Sequence, residues 1–169
     1  MWRRRPWLFC AGALLFAAPL ARAQTGDAPL LKVVLADGRS QSFTRAQLDA
    51  IPAERAPARL RDGVPFTVSG VSVTTLLRLA GLDLSANLGG GKVVGHALVA
   101  RATDDYRAVF GLAEVDPHFG HALLMVSWTN ADGSPLADKV GPVQLISTGE
   151  SRPGRWVRQL QSLEVKSLK

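Results

Sequence analysis

Only one stretch of this chain repeats its apolar residues at helical spacing over two full turns. Val73, Leu76, Leu77 and Ala80 fall at i, i+3, i+4 and i+7, and Gly81 follows as a C-terminal stop. Everywhere else the apolar residues come in short β-prone runs cut by turn chemistry. Residues 30–35 and 40–44 flank Asp37-Gly38, a two-residue hairpin signal. Residues 66–71 make a short strand closed by Gly70. Residues 92–102 and 106–110 flank Thr103-Asp104-Asp105, and residues 123–128 are answered by Pro135-Leu136 across Asn130-Ala131-Asp132-Gly133. Residues 143–146 and 163–165 supply the closing strands. Thr44 reads as an N-cap for a short helix that starts at Arg45 and stops before Pro52. Residues 112–115 suit one further helical turn. Residues 52–65, charged and rich in Pro and Ala, read as a long connection across the surface, and residues 85–92 as a glycine-rich loop. There is no internal repeat. The pattern predicts a mixed, strand-rich α+β domain with few helices.

The first residues stand apart from that pattern. Arg3, Arg4 and Arg5 form a basic n-region, residues 7–20 a short apolar core, and Ala21-Arg22-Ala23 a small-x-small cleavage site. Residues 1–23 are therefore expected to be a signal peptide, with residues 24–169 as the single mature domain in the periplasm or outside the cell. The apolar run is too short to span a membrane, and no second candidate follows it. Of the 20 Lys and Arg residues the leader takes Arg3, Arg4, Arg5 and Arg22, leaving 16 against 14 acidic ones. The sequence pI near 10.2 is thus mostly the leader's. Nucleic acid is not an expected partner: no basic run carries interleaved aromatics, and no recognition motif is present. The only cysteine, Cys10, lies in the leader. The mature domain must therefore hold together by its core, and a domain near 150 residues buries roughly 68–70% of its unfolded surface.

Self-contained catalysis leaves no trace. The mature chain has no thiol and no G-x-S-x-G elbow, so no catalytic residues are predicted. Residues 89–92 depart from a phosphate loop, with Ala86 at the earlier glycine and Val93 where Ser or Thr would bind magnesium. Asp116, His118 and His121 could offer two or three metal ligands, but a further strong ligand at motif spacing is missing. They read as a polar loop, and no metal site is predicted. Two places carry more. Asp104-Asp105-Tyr106 doubles the acid that a turn needs and adds a phenol. Arg152, Arg155 and Arg158 recur every third residue after the strand at 143–146. Such a segment can hold a phosphate-bearing ligand over a sheet edge, or form an exposed basic corner. A guanidinium binds phosphate bidentately and stays charged. Asp104, Asp105 and Tyr106 could present hydrogen-bonding groups at a pocket mouth, or form an ordinary turn.

The order of these landmarks resembles the molybdopterin-binding domain of the sulfite oxidase family of oxidoreductases. Gly70-Val71-Ser72-Val73 leading into Leu76-Leu77 and Ala80-Gly81 looks like that family's Gly-Val-x-Leu passage from strand to helix. Ala102-Thr103-Asp104-Asp105-Tyr106 looks like its A-x-D-G-Tyr turn, with Asp105 at the usual Gly. Leu123-Leu124-Met125-Val126, then Asp132-Gly133-Ser134-Pro135-Leu136, then Gly141-Pro142-Val143-Gln144-Leu145-Ile146 follow in the family's order, and Arg155-Trp156-Val157-Arg158 looks like its R-x-V-K segment. The resemblance implies a sulfite oxidase-like α+β fold in which basic residues of the closing segment reach the phosphate of a pterin. Arg155 and Arg158 stand at the matching positions, so the resemblance implies that both face a pocket bounded by residues 104–106, with Arg152 raising the local potential and Gly154 letting a ligand come close to the backbone. Family enzymes hold molybdenum partly through a cysteine thiolate upstream of the Gly-Val strand, where residues 52–65 have none, and Gln144 replaces a strand arginine. The leading implication is an exported molybdopterin-binding domain without independent molybdenum catalysis, serving as a ligand-binding, partner or sensor protein. Its partners would be a pterin or other small anion, and a periplasmic redox or sensor protein. A molybdopterin enzyme without a protein thiolate, and an interaction module without a ligand site, are the other two readings.

Overall fold

The short β-prone runs pair into two sheets. The computed structural model describes residues 28–86, 90–120, 122–150 and 152–169, so the expected leader lies outside the described residues. Among the described residues the strands are β1 (Leu31–Val34), β2 (Ser40–Phe43), β3 (Glu54–Arg59), β4 (Pro65–Ser72), β5 (His96–Ala102), β6 (Arg107–Gly111), β7 (Leu124–Ser127), β8 (Gln144–Ser147) and β9 (Leu160–Ser167). The helices are α1 (Arg45–Asp49), α2 (Val73–Leu79), α3 (Gly90–Val93) and α4 (Leu112–Val115). One sheet runs β2-β1-β9-β5-β6 and the other β3-β4-β7-β8. All pairings are antiparallel except β1 with β9, which brings the two ends of the described domain side by side.

The expected hairpin forms around Asp37-Gly38, where Gly38 takes φ +87°, a backbone state that glycine enters without penalty. Thr44 caps α1, accepting from the Gln47 backbone N–H while the Gln47 side chain accepts from the Thr44 N–H. The period-3.6 face becomes α2. Ser72 caps it by accepting from the Thr75 N–H, and Val73, Leu76 and Leu77 are fully buried. Gly81 leaves the helix at φ +98°, as its stop position requires.

The core lies where the two sheets face each other. Leu31, Val33, Leu98, Phe110 and Leu163 from the first sheet meet Val71, Leu124, Val126 and Leu145 from the second, with α2 packed in. β7 is buried on both faces, because Met125 points the other way into a smaller cluster with Ala56, Ala58, Val68 and Ile146. That explains why residues 124–126 show no polar alternation. Gly70 permits the close approach of β4 to its neighbour β7, because a Cβ there would collide with the Val126 carbonyl oxygen.

Residues 52–65 are a correction. They are not a surface connection but β3 and the turn into β4, paired from Glu54↔Gly70 to Arg59↔Pro65. The strand escapes a sequence reading because its inward residues are Ala56 and Ala58, too small to mark an apolar alternation. Pro57 is tolerated because β3 is an edge strand. The stretch expected as loop contains a 3-10 turn at Leu84–Ala86 and α3, so β5 begins at His96 rather than Lys92. No helix among the described residues is long and apolar enough to cross a membrane.

Candidate functional site

Val157 decides where the arginines go. It is fully buried and pairs with Leu145, its N–H donating at 3.0 Å and its carbonyl accepting at 2.8 Å. Extended backbone alternates its side chains, so Trp156 and Arg158 leave on the opposite face. The Trp156 indole N–H donates to the Ser147 carbonyl at 3.0 Å, and its ring meets the Phe66 ring edge-on at 5.7 Å. Arg158 remains exposed and forms no ion pair with a described residue.

The turn at residues 103–106 is lashed to this segment from far away in the chain. The Tyr106 hydroxyl donates to the Gly154 carbonyl. The Thr103 N–H donates to the Gln159 carbonyl at 3.1 Å, and Thr103 Oγ1 donates to Gln159 Oε1 at 2.8 Å. Between them lies a cleft of about 320 Å³ lined by Asp104, Tyr106, Pro153, Gly154, Trp156 and Arg158. Tyr106, Pro153 and Trp156 give it flat apolar walls, and Arg158 gives it a cation. Asp104 is partly spent inside the turn, where Oδ1 accepts from the Tyr106 N–H at 3.1 Å.

Arg155 is held elsewhere. Its guanidinium reaches Glu150 Oε1 at 2.7–2.8 Å and Glu114 Oε2 at 3.3 Å, donates to the Val109 carbonyl at 3.3 Å, and stacks 4.4 Å over the Phe110 ring. Partial burial by itself would lower its pKa. The hydrogen bond and charge of Glu150, then those of Glu114, overcome that and hold it above the ordinary guanidinium value. Glu150 also accepts from the Ser147 hydroxyl, and Glu114 accepts from the Gly111 N–H at the start of α4. Arg155 is thus the centre of a clamp joining β6, α4 and the 3-10 turn at Pro153–Arg155. Arg152 is exposed and does not line the cleft. Asp105 is also absent from the lining, and it takes φ +67°, the left-handed state that the turn demands. The structure therefore gathers Arg158, Asp104 and Tyr106, and leaves Arg152, Arg155 and Asp105 outside.

Sequence reasoning missed the walls, Pro153 and Trp156, as cleft-forming groups, and missed Glu150 and Glu114 as partners of Arg155. Glu150, five residues before Arg155 in a loop, was the one available signal. Of the polar loop, Asp116 is fully buried, with Oδ1 accepting from the His118 N–H at 2.8 Å. The His118 ring goes instead to the Ser85 carbonyl, 3.1 Å from Nε2, and His121 lies outside the described residues. Among the described residues no three His, Cys, Asp or Glu gather as metal ligands.

Two antiparallel-dominated sheets around one core, with an aromatic cleft at the closing segment, define a strand-rich α+β domain. Its fold is similar to that in the crystal structure of the sulfane dehydrogenase SoxCD from Paracoccus pantotrophus, with a TM-score of 0.61 and 18% sequence identity. The match covers 82% of this chain and 38% of that one, so this chain spans well under half of its neighbour. At that identity the likeness is one of fold. No protein-family model and no curated protein sequence matches the chain.

Proposed function

We propose that the chain is an exported, molybdopterin-oxidoreductase-like domain that binds a pterin-type or other flat anionic ligand and performs no molybdenum chemistry of its own. It would serve as a ligand-binding, partner or sensor protein in the periplasm. The sulfite oxidase-like order of sequence landmarks and the fold likeness to a dehydrogenase support the family part of this reading. The observation that carries the ligand part is Arg158: a guanidinium without an ion pair to any described residue, at a cleft walled by Tyr106, Pro153 and Trp156. Aromatic and proline faces suit a planar heterocycle, and the guanidinium suits its phosphate.

The residues present do not fit the metal. A molybdenum centre of this family takes a soft thiolate from the stretch before the Gly-Val strand, and residues 52–65 contain no sulfur. The carboxylates there are engaged. Glu54 Oε1 accepts from the Ser72 N–H and hydroxyl at 3.1 and 2.8 Å, and Asp62 Oδ1 accepts from the Val64 N–H at 3.2 Å. No reaction step is therefore assigned to molybdenum. Arg155 does not fit the phosphate role either while Glu150 and Glu114 hold it.

The test is a titration of residues 24–169 with free pterin and with inorganic pyrophosphate, followed by tryptophan fluorescence, since Trp156 walls the cleft. A charge-assisted hydrogen bond contributes roughly 1.5–3 kcal/mol. Arg158→Ala should weaken binding about tenfold or more with the fold unchanged. Absence of binding to both compounds, or equal binding by the variant, would overturn the reading.

A further inference from the structure

We propose that the groove lined by Thr75 and Arg78 of α2 and by Val115, Pro117, Gly120 and Leu123 is a second binding site, for a small zwitterion with an apolar body, of the α-amino-acid class. The groove has a volume of about 390 Å³ and shares no lining residue with the cleft at Arg158. That volume is within the range of small-molecule pockets, which run from about 300 to 1,000 Å³. Its floor is apolar, from Leu84, Val115 and Leu123. Leu123 keeps 38% of its surface exposed.

Two opposite charges flank that floor without meeting. Arg78, in the last turn of α2, forms no ion pair with a described residue. Asp83 uses Oδ1 to accept from the Ser85 N–H at 3.0 Å and the Ser85 hydroxyl at 2.6 Å, which leaves Oδ2 without a described hydrogen bond. The Asp83 carboxyl sits below its ordinary pKa, chiefly through the Ser85 hydroxyl and least through the charge of Arg78. It is therefore ionised at neutral pH. The walls are also fastened before any ligand arrives, since the His118 ring meets the Ser85 carbonyl at 3.1 Å and joins one side of the groove to the other.

A carboxylate can dock bidentately on Arg78, and an ammonium can take the open oxygen of Asp83. An aliphatic side chain then covers Leu84, Val115 and Leu123. A ligand with only one of these charges makes only one of the two charged contacts, so discrimination comes from the pair.

The experiment is calorimetric titration of residues 24–169 with L-leucine, 4-methylpentanoate and 3-methylbutylamine, the last two being the same skeleton with one charge removed. L-leucine should bind, and each analogue should bind at least tenfold more weakly. Arg78→Ala and Asp83→Asn should each cost tenfold or more for L-leucine, with circular dichroism reporting an intact fold. No heat with millimolar L-leucine, equal binding of 4-methylpentanoate, or unchanged binding by both variants would each overturn the proposal.

Discussion

Arg155 and Arg158 are three residues apart, carry the same group, and have opposite surroundings. Arg155 is bound to two carboxylates and a carbonyl and lies on Phe110, so its charge is used inside the protein. Arg158 is exposed at a cleft with no described partner. The difference teaches that a basic residue placed to match a motif is only a candidate. What strengthens the candidate is a charge that meets no partner among the described residues. The same distinction applies at the edge of the first sheet. β6 is an edge strand, and Arg155 donates to its Val109 carbonyl while Glu114 accepts the Gly111 N–H, so the clamp also covers backbone groups that an edge leaves open.

The most severe way to break the comparison is to remove what stands between the two arginines. Trp156 packs on the smaller cluster and walls the cleft, so Trp156→Ala should destabilise by about 3 kcal/mol and abolish pterin binding together. Urea denaturation and the fluorescence-independent calorimetric titration would read the two effects. Next comes Arg155→Ala, which leaves Glu150 without its cation. The Arg155 side chain is 37% exposed, so solvent screening trims the effect to about 1–2 kcal/mol of stability. Pyrophosphate binding should stay unchanged; a loss of binding at constant stability would erase the contrast. Arg158→Ala should do the reverse, weakening pyrophosphate binding about tenfold while moving the urea midpoint little. The remaining wild-type affinity should fall as salt rises, since this cation is exposed. The smallest effect is expected at Asp105. Left-handed backbone disfavours side chains, and glycine gives back part of that gain in chain entropy, so Asp105→Gly should stabilise by about 0.5 kcal/mol. A destabilised variant would mean that the Asp105 carboxylate has a role which the turn geometry does not reveal.

Much of this molecule was legible before any coordinates. Periodicity located α2 within one residue of its ends, because Leu76 and Leu77 could face a core only at helical spacing. Turn chemistry located the Asp37-Gly38 hairpin and the Thr44 cap, since both depend on residues adjacent in the chain. β3 was invisible because alanines mark burial too weakly to be seen without their partner strand, and β3 exists through its pairing with β4.

The amino-acid order by itself determined the class of the fold, the local elements with strong periodicity, and the absence of a thiolate from the domain. Only the tertiary structure decided which arginine has an ionic partner among the described residues. Glu114 is 41 residues from Arg155, and the groups that lash Tyr106 and Thr103 to the closing segment are 48 and 56 residues away. Local propensity acts over a few bonds, whereas the ionic state and neighbours of a side chain are set by strands that the chain brings together only when the whole core forms.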